Sequence, residues 1–163
     1  TKDIVDLLHR TFASKVTTPL AAEIKASDHD LNEILTIASI LQRESKTKAE
    51  MQQIAGVIEN RLAIKMPLQF CATAQYASGY DAKQKSWWVE PTLLDTQVQS
   101  PYNTYFVSGL PPAPIPAPSI GAIEAALNPA ENDYLFYLHD PHGQIHYGKT
   151  AADHHSNIAI YLR

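Results

Sequence analysis

Six prolines fall between residues 100 and 118: Pro101, Pro111, Pro112, Pro114, Pro116 and Pro118. Proline has no backbone N–H and a fixed φ, so this stretch excludes both regular helix and central strand. A segment of this length inside a compact domain is either a linker or a functional loop. Tyr102, Asn103, Tyr105 and Phe106 within it favour an ordered, functional loop. Regular structure must therefore lie to either side.

On the N-terminal side the pattern is helical. Residues 2 to 15 predict a first helix with Ile4, Leu7, Leu8 and Phe12 on its core face, stopped by Thr17-Thr18-Pro19. Leu31, Ile34, Leu35, Ala38 and Leu41 follow the three-and-four spacing of a second helix. Ser27 can cap it, with Asp30 as the capping-box partner. Thr47-Lys48-Ala49-Glu50 is the capping box of a third, with Met51, Ile54, Ala55, Ile58 and Leu62 facing the core. Residues 66 to 80 read as loop and short helix. Residues 81 to 99 are polar, carry both tryptophans and cross the surface.

Beyond the prolines, Ser119 caps a short helix over residues 120 to 127, ended by Asn128-Pro129. Tyr134 to His139 and Gln144 to Tyr147 alternate around Asp140-Pro141-His142-Gly143, a β-hairpin pattern. Thr150, with Asp153 three residues on, caps a last helix to Leu162. No repeat or low-complexity segment interrupts this order. The fold class expected is α+β: mostly helical, with a small antiparallel sheet near the C-terminus, in one domain spanning residues 1 to 163.

The second helix ends on Glu44, in the last turn, where the negative end of the helix dipole disfavours a carboxylate. Partial burial would act in the same direction, and a carboxyl kept protonated near neutral pH suits a general acid. Arg43, Lys46 and Lys48 are neighbours, so a solvated helix-end charge is the competing reading.

A net charge of −4 with scattered Lys and Arg argues against nucleic-acid partners. Cys71 is the single cysteine, so no internal disulfide framework exists. No apolar run approaches the roughly 20 residues of a membrane helix. The opening Thr1 rather than Met fits a piece of a longer chain, in which any membrane anchor would lie upstream. Seven histidines invite a metal reading, but none form a helical pair four apart with zinc-site spacing. No metal and no cofactor are expected. Cys71 fits a small buried hydrophobe better than a nucleophile.

Four segments in order carry a family resemblance. They are Ile37 to Ser45 (IASILQRES); Asn60-Arg61-Leu62 with Met66-Pro67-Leu68-Gln69; Ser100 to Tyr105 (SPYNTY) followed by Gly109 to Ile115 (GLPPAPI); and Tyr134-Leu135-Phe136-Tyr137 followed by Thr150 and Asp153-His154-His155. Together they resemble the catalytic domain of the endolytic murein transglycosylases, the MltG or YceG-like family. The resemblance implies a membrane-anchored enzyme facing the peptidoglycan at the extracytoplasmic side of the cytoplasmic membrane. A LysM-like module would precede the catalytic domain, and it is expected to be absent or incomplete in this stretch. The implied substrate is the glycan strand, the implied companions are peptidoglycan synthases, and Glu44 is the implied catalytic acid. Glu50 matches a second acidic position, although its capping box already accounts for it. The chain departs from the family at Cys71 and Ala72, where Asp-Pro is usual, and at Asp153-His154-His155, where Glu-His-Asn is usual.

The implied reaction needs one proton donor. The C6 hydroxyl of the MurNAc sugar closes onto its own C1 and leaves a 1,6-anhydro end, whereas ordinary glycosidases need two carboxylates. A muramidase that admits water, or a relative that binds glycan or a partner and cuts poorly, are the alternatives. Tyr102, Asn103 and Thr104 are the expected substrate contacts on one wall. Gln69, Thr73 and Tyr76 are those on the other. His154 is expected to pack or hydrogen-bond nearby as an accessory group.

Overall fold

The computed structural model describes residues 2 to 162. Seven α-helices and one hairpin follow in chain order: α1 Lys2–Phe12, α2 Ala21–Ala26, α3 Leu31–Glu44, α4 Lys48–Ala63, α5 Cys71–Ser78, α6 Ile120–Leu127, β1 Phe136–His139, β2 Ile145–Gly148 and α7 Ala151–Tyr161. The α+β class read from the sequence holds.

The core forms where α3 crosses α4 and α6. Ile34, Ile37, Ile40 and Leu41 of α3 meet Ile54 and Ile58 of α4 and Ala122, Ile123 and Ala126 of α6, all essentially buried. Burying such side chains stabilises the fold by about 1.5–3 kcal/mol each. Small residues allow close approach elsewhere. A Cβ on Gly56 of α4 would lie 2.3 Å from the Ala130 carbonyl oxygen, so only glycine lets the segment after α6 pack there.

Helix α3 is buried on its polar side too. Thr36 and Ser39 are fully buried and bond to the carbonyls of Asn32 and Thr36, at 2.7 and 2.8 Å. The proline-rich segment covers this side and runs in the same direction as the helix. Asn32 Nδ2 donates to the Pro112 carbonyl, the Ile115 amide to Ser39 Oγ, and the Ser119 amide to Gln42 Oε1, at 3.2, 3.0 and 2.9 Å. Polar groups of α3 thus satisfy a backbone that proline keeps out of regular ladders.

The hairpin pairs Phe136 with Gly148 and His139 with Ile145. Its turn is set by Asp140, whose Oδ1 accepts from the amides of His142 and Gln144, and by Gly143 at φ +82°. Thr150 and Asp153 form the reciprocal capping box of α7.

Several expectations are corrected. The first helix ends at Phe12, and Ala13–Thr17 winds into a wider π turn closed by the Thr18 amide on the Ala13 carbonyl. The extra helix α2 follows. Ile4, Leu7 and Leu8 are exposed rather than core. The spacing that sorted them onto one face cannot say whether anything covers that face. The cap of α3 is Asp30 rather than Ser27. Asp30 Oδ1 accepts from the Glu33 amide and Glu33 Oε2 from the Asp30 amide, both at 2.9 Å. Ser27 instead accepts from the His29 amide beyond the end of α2.

Candidate active site

Glu44 is the last residue of α3, at the floor of a cleft of about 400 Å³. Gln69, Phe70 and Cys71 line one side, Phe136 and Tyr137 of β1 the other, with Arg61, Tyr105 and His154 around them. The competing reading of Glu44 as a solvated charge does not hold. Its Oε2 accepts a 2.5 Å hydrogen bond from the Tyr137 hydroxyl. Lys48 pairs with Glu124 instead, and the Arg43 guanidinium lies over the Trp88 ring. Burial raises the Glu44 carboxyl above its ordinary value, against a smaller downward pull from the Tyr137 bond and the Arg43 charge. Among the described residues, Glu44 Oε1 has no protein partner and no second carboxylate lines the cleft.

The rim beside Glu44 is held in an uncommon shape. Gln69 adopts φ +51°, the left-handed region that a non-glycine residue rarely enters. A latch beneath it maintains this geometry. The Gln69 amide donates to the Thr104 carbonyl at 3.1 Å, the Phe70 amide to Thr104 Oγ1 at 3.0 Å, and the Thr104 amide to Thr73 Oγ1 at 3.1 Å. The two threonine hydroxyls lie 2.7 Å apart, and Thr73 also donates to the Phe70 carbonyl at 2.6 Å. Arg61 ties the two sides together, donating to the carbonyls of Leu135, next to β1, and Leu68, next to Gln69, at 2.7 and 2.5 Å. Its positive charge is thus committed to backbone.

The expected site residues therefore separate. Glu44, Gln69 and His154 line the cleft. Thr73, Asn103 and Thr104 do not, because all three are fully buried. Asn103 Nδ2 reaches the carbonyls of Asp95, Thr96 and Val98, at 3.3, 3.1 and 2.8 Å, and its Oδ1 accepts from the Tyr105 amide. With its amide spent on shaping the loop, nothing of Asn103 remains to orient a ligand. Their expected role as substrate contacts is corrected to scaffolding. Tyr76 and Tyr102 pack against each other with tilted rings, centroids 5.0 Å apart, and are not among the residues lining the cleft. Glu50 is also elsewhere. Its Oε2 accepts from Ser45 Oγ at 2.5 Å while its amide bonds Thr47 Oγ1, so it fixes the α3–α4 turn.

Among the lining residues that carried no assigned role in the sequence reading are Arg61, Tyr105, Phe136 and Tyr137. Each falls inside a recognised segment, but only the folded hairpin brings Tyr137 to Glu44, 93 residues away. Cys71, expected to be a buried hydrophobe, is exposed in the cleft with Sγ 3.3 Å from the Tyr105 hydroxyl. The His154 ring stacks on Phe136 at 5.3 Å. Its Nδ1 is buried without a partner among the described residues, and burial lowers its pKa, so the ring is neutral near pH 7. No group of three or more metal-ligating side chains occurs among the described residues.

Comparison with known proteins identifies the family. Residues 1–160 match the YceG-like family. Proteins named endolytic murein transglycosylase are 37% identical over 149 residues in Streptococcus pneumoniae (strain D39), covering 91% of this chain, and 36% identical over 161 residues in Bacillus subtilis (strain 168), covering 99%. A crystal structure of a yceG-like protein from Listeria monocytogenes superposes with a TM-score of 0.75 at 34% identity, over 86% of this chain. The chain spans 27% and 43% of the two named relatives and 43% of the crystallised one.

Proposed function

This chain belongs to the YceG-like family, and from that premise we propose that it is the cleaving part of an endolytic peptidoglycan lytic transglycosylase. The observation that carries the reading is Glu44: one buried-side carboxyl, raised in pKa, bonded to Tyr137 and alone in its cleft. In the proposed reaction the protonated Glu44 gives its proton to the oxygen linking MurNAc C1 to the next GlcNAc. The C1–O bond breaks and the GlcNAc hydroxyl leaves. The MurNAc C6 hydroxyl then bonds to C1, and its proton returns to the Glu44 carboxylate. No water is consumed, and the acid ends in its starting state.

A cleft with a single carboxylate supports this route over ordinary hydrolysis, which calls on a second one about 5–9.5 Å away. Tyr137 holds Glu44 Oε2, which leaves Oε1 as the proton-bearing oxygen toward the sugar. Gln69 and the Tyr105 hydroxyl supply dipoles for the positive charge that develops at C1. His154, whose ring lines the cleft, would serve as an accessory group on that wall. In the whole protein this activity would operate in the cell envelope, beside peptidoglycan synthases, with any membrane anchor outside the described residues. No helix among those residues is long and apolar enough to cross a membrane.

The product distinguishes the readings. Digestion of purified peptidoglycan is expected to release 1,6-anhydro-MurNAc ends by mass spectrometry. Ends carrying an added water would mean a muramidase. Intact glycan with binding retained would mean a relative that binds without cutting, and Cys71→Asp, restoring the family's usual residue, would then be the first change to try.

A further inference from the structure

A second cavity, of about 340 Å³, opens at the far end of α5. Cys71, Gln75 and Ser78 recur at i, i+4 and i+7 and so share one face of that helix. Cys71 lines the Glu44 cleft, whereas Gln75 and Ser78 line the second cavity. At 1.5 Å per residue the two sets stand about 6–10 Å apart along the axis, within the reach of a few linked sugars.

The wall of this cavity is fastened to the catalytic helix. Trp88 packs on the core, with the Arg43 guanidinium 4.1 Å from its ring centroid, and Arg43 directly precedes Glu44. Gln75 Nε2 donates to the Val89 carbonyl at 2.7 Å. Directly before these ties Trp87 lines the cavity and remains 46% exposed. Its ring stacks on Tyr76 at 5.8 Å and is flanked by Tyr80 at 6.1 Å, so it is a rigid face rather than a loose side chain. Asp81, Gln84 and Glu90 stand around it.

A flat aromatic face ringed by hydrogen-bond acceptors complements a pyranose. The C–H face of the sugar covers the indole, while its rim hydroxyls and N-acetyl N–H donate to the carboxylates. We propose that this cavity is a further glycan subsite, with Trp87 as the platform for an N-acetylated sugar of the strand whose cleavage is proposed at Glu44. The inference rests on the glycan reading of that cleft.

The test is calorimetric binding of peptide-free glycan strands, a disaccharide and an octasaccharide, to Glu44→Gln protein with Trp87 intact, Trp87→Ala or Trp87→Tyr. Trp87→Ala is expected to weaken octasaccharide binding about tenfold, the scale of one lost aromatic stack. Disaccharide affinity is expected to change less than twofold, and Trp87→Tyr to restore most of the octasaccharide affinity. Because Tyr keeps the platform, its rescue separates stacking from a folding defect. Octasaccharide affinity unmoved by Trp87→Ala, or an equal loss for both strands, would overturn the subsite. So would binding of neither strand, or a Trp87-dependent preference for a free stem peptide. The two readings fail separately. Cleavage with no Trp87 effect sinks the subsite alone, whereas a length-dependent Trp87 loss in a protein that cuts nothing sinks only the cleavage.

Discussion

Glu44 is pulled in opposite directions by groups a few ångströms away. Burial raises its pKa, while the Tyr137 hydroxyl and the Arg43 charge favour the ionised form. The protonated acid therefore persists above the ordinary carboxylate range and is lost as pH rises through the raised value, so kcat/KM should fall along that limb. Tyr137→Phe removes a bond that stabilises the carboxylate, which raises the pKa further. The alkaline limb should then move to higher pH, while the maximal rate drops about 10- to 100-fold because Oε1 is no longer aimed. A pH–rate profile of the two proteins checks both effects, and a limb that stays put or moves down would remove Tyr137 from control of the acid. At the same scale, Cys71 shows how little a single letter says about exposure. A lone cysteine is usually buried, but here the first turn of α5 turns it outward into the cleft.

At the scale of elements, the sequence was read best where a pattern is local and covered. Helix α3 and its end at Glu44 followed from apolar spacing, because α4 and α6 bury the face that the spacing defines. The same reasoning misplaced α1, whose Ile4, Leu7 and Leu8 form a face that the described residues leave open. Capping was ambiguous for a related reason. Ser27 was expected to cap with Asp30 as its partner, and the reciprocal bonds between Asp30 and Glu33 make Asp30 itself the cap. In the loop of residues 100 to 118, Asn103 and Thr104 are buried and build the loop, while Tyr105 reaches the cleft. Asn103→Ala would leave buried carbonyls unpaired and should cost about 2–3 kcal/mol of stability in urea unfolding. The residual activity should track the folded fraction. A fall beyond that fraction would return Asn103 to direct substrate contact.

The cleft belongs to the whole molecule. Its acid ends a helix in the N-terminal half, the acid's hydrogen-bond partner lies on the C-terminal hairpin, and the proline-rich segment links the two along α3. That assembly explains why ordered motifs exposed the family and Glu44, while Tyr137, Tyr105 and the braced Arg61 emerged only in three dimensions. It also explains why Thr73 and Thr104, distant in sequence, serve one latch under Gln69. The most direct test compares this chain with Glu44→Gln on isolated glycan strands, measuring single-turnover release of anhydro ends and strand affinity together. Gln keeps the shape and can still accept from Tyr137, but it cannot give up a proton as the acid does. The expected result is a cleavage rate at least about 1,000-fold lower with affinity within about threefold. Anhydro ends released by Glu44→Gln at a rate near that of the parent chain would contradict the assignment of the acid.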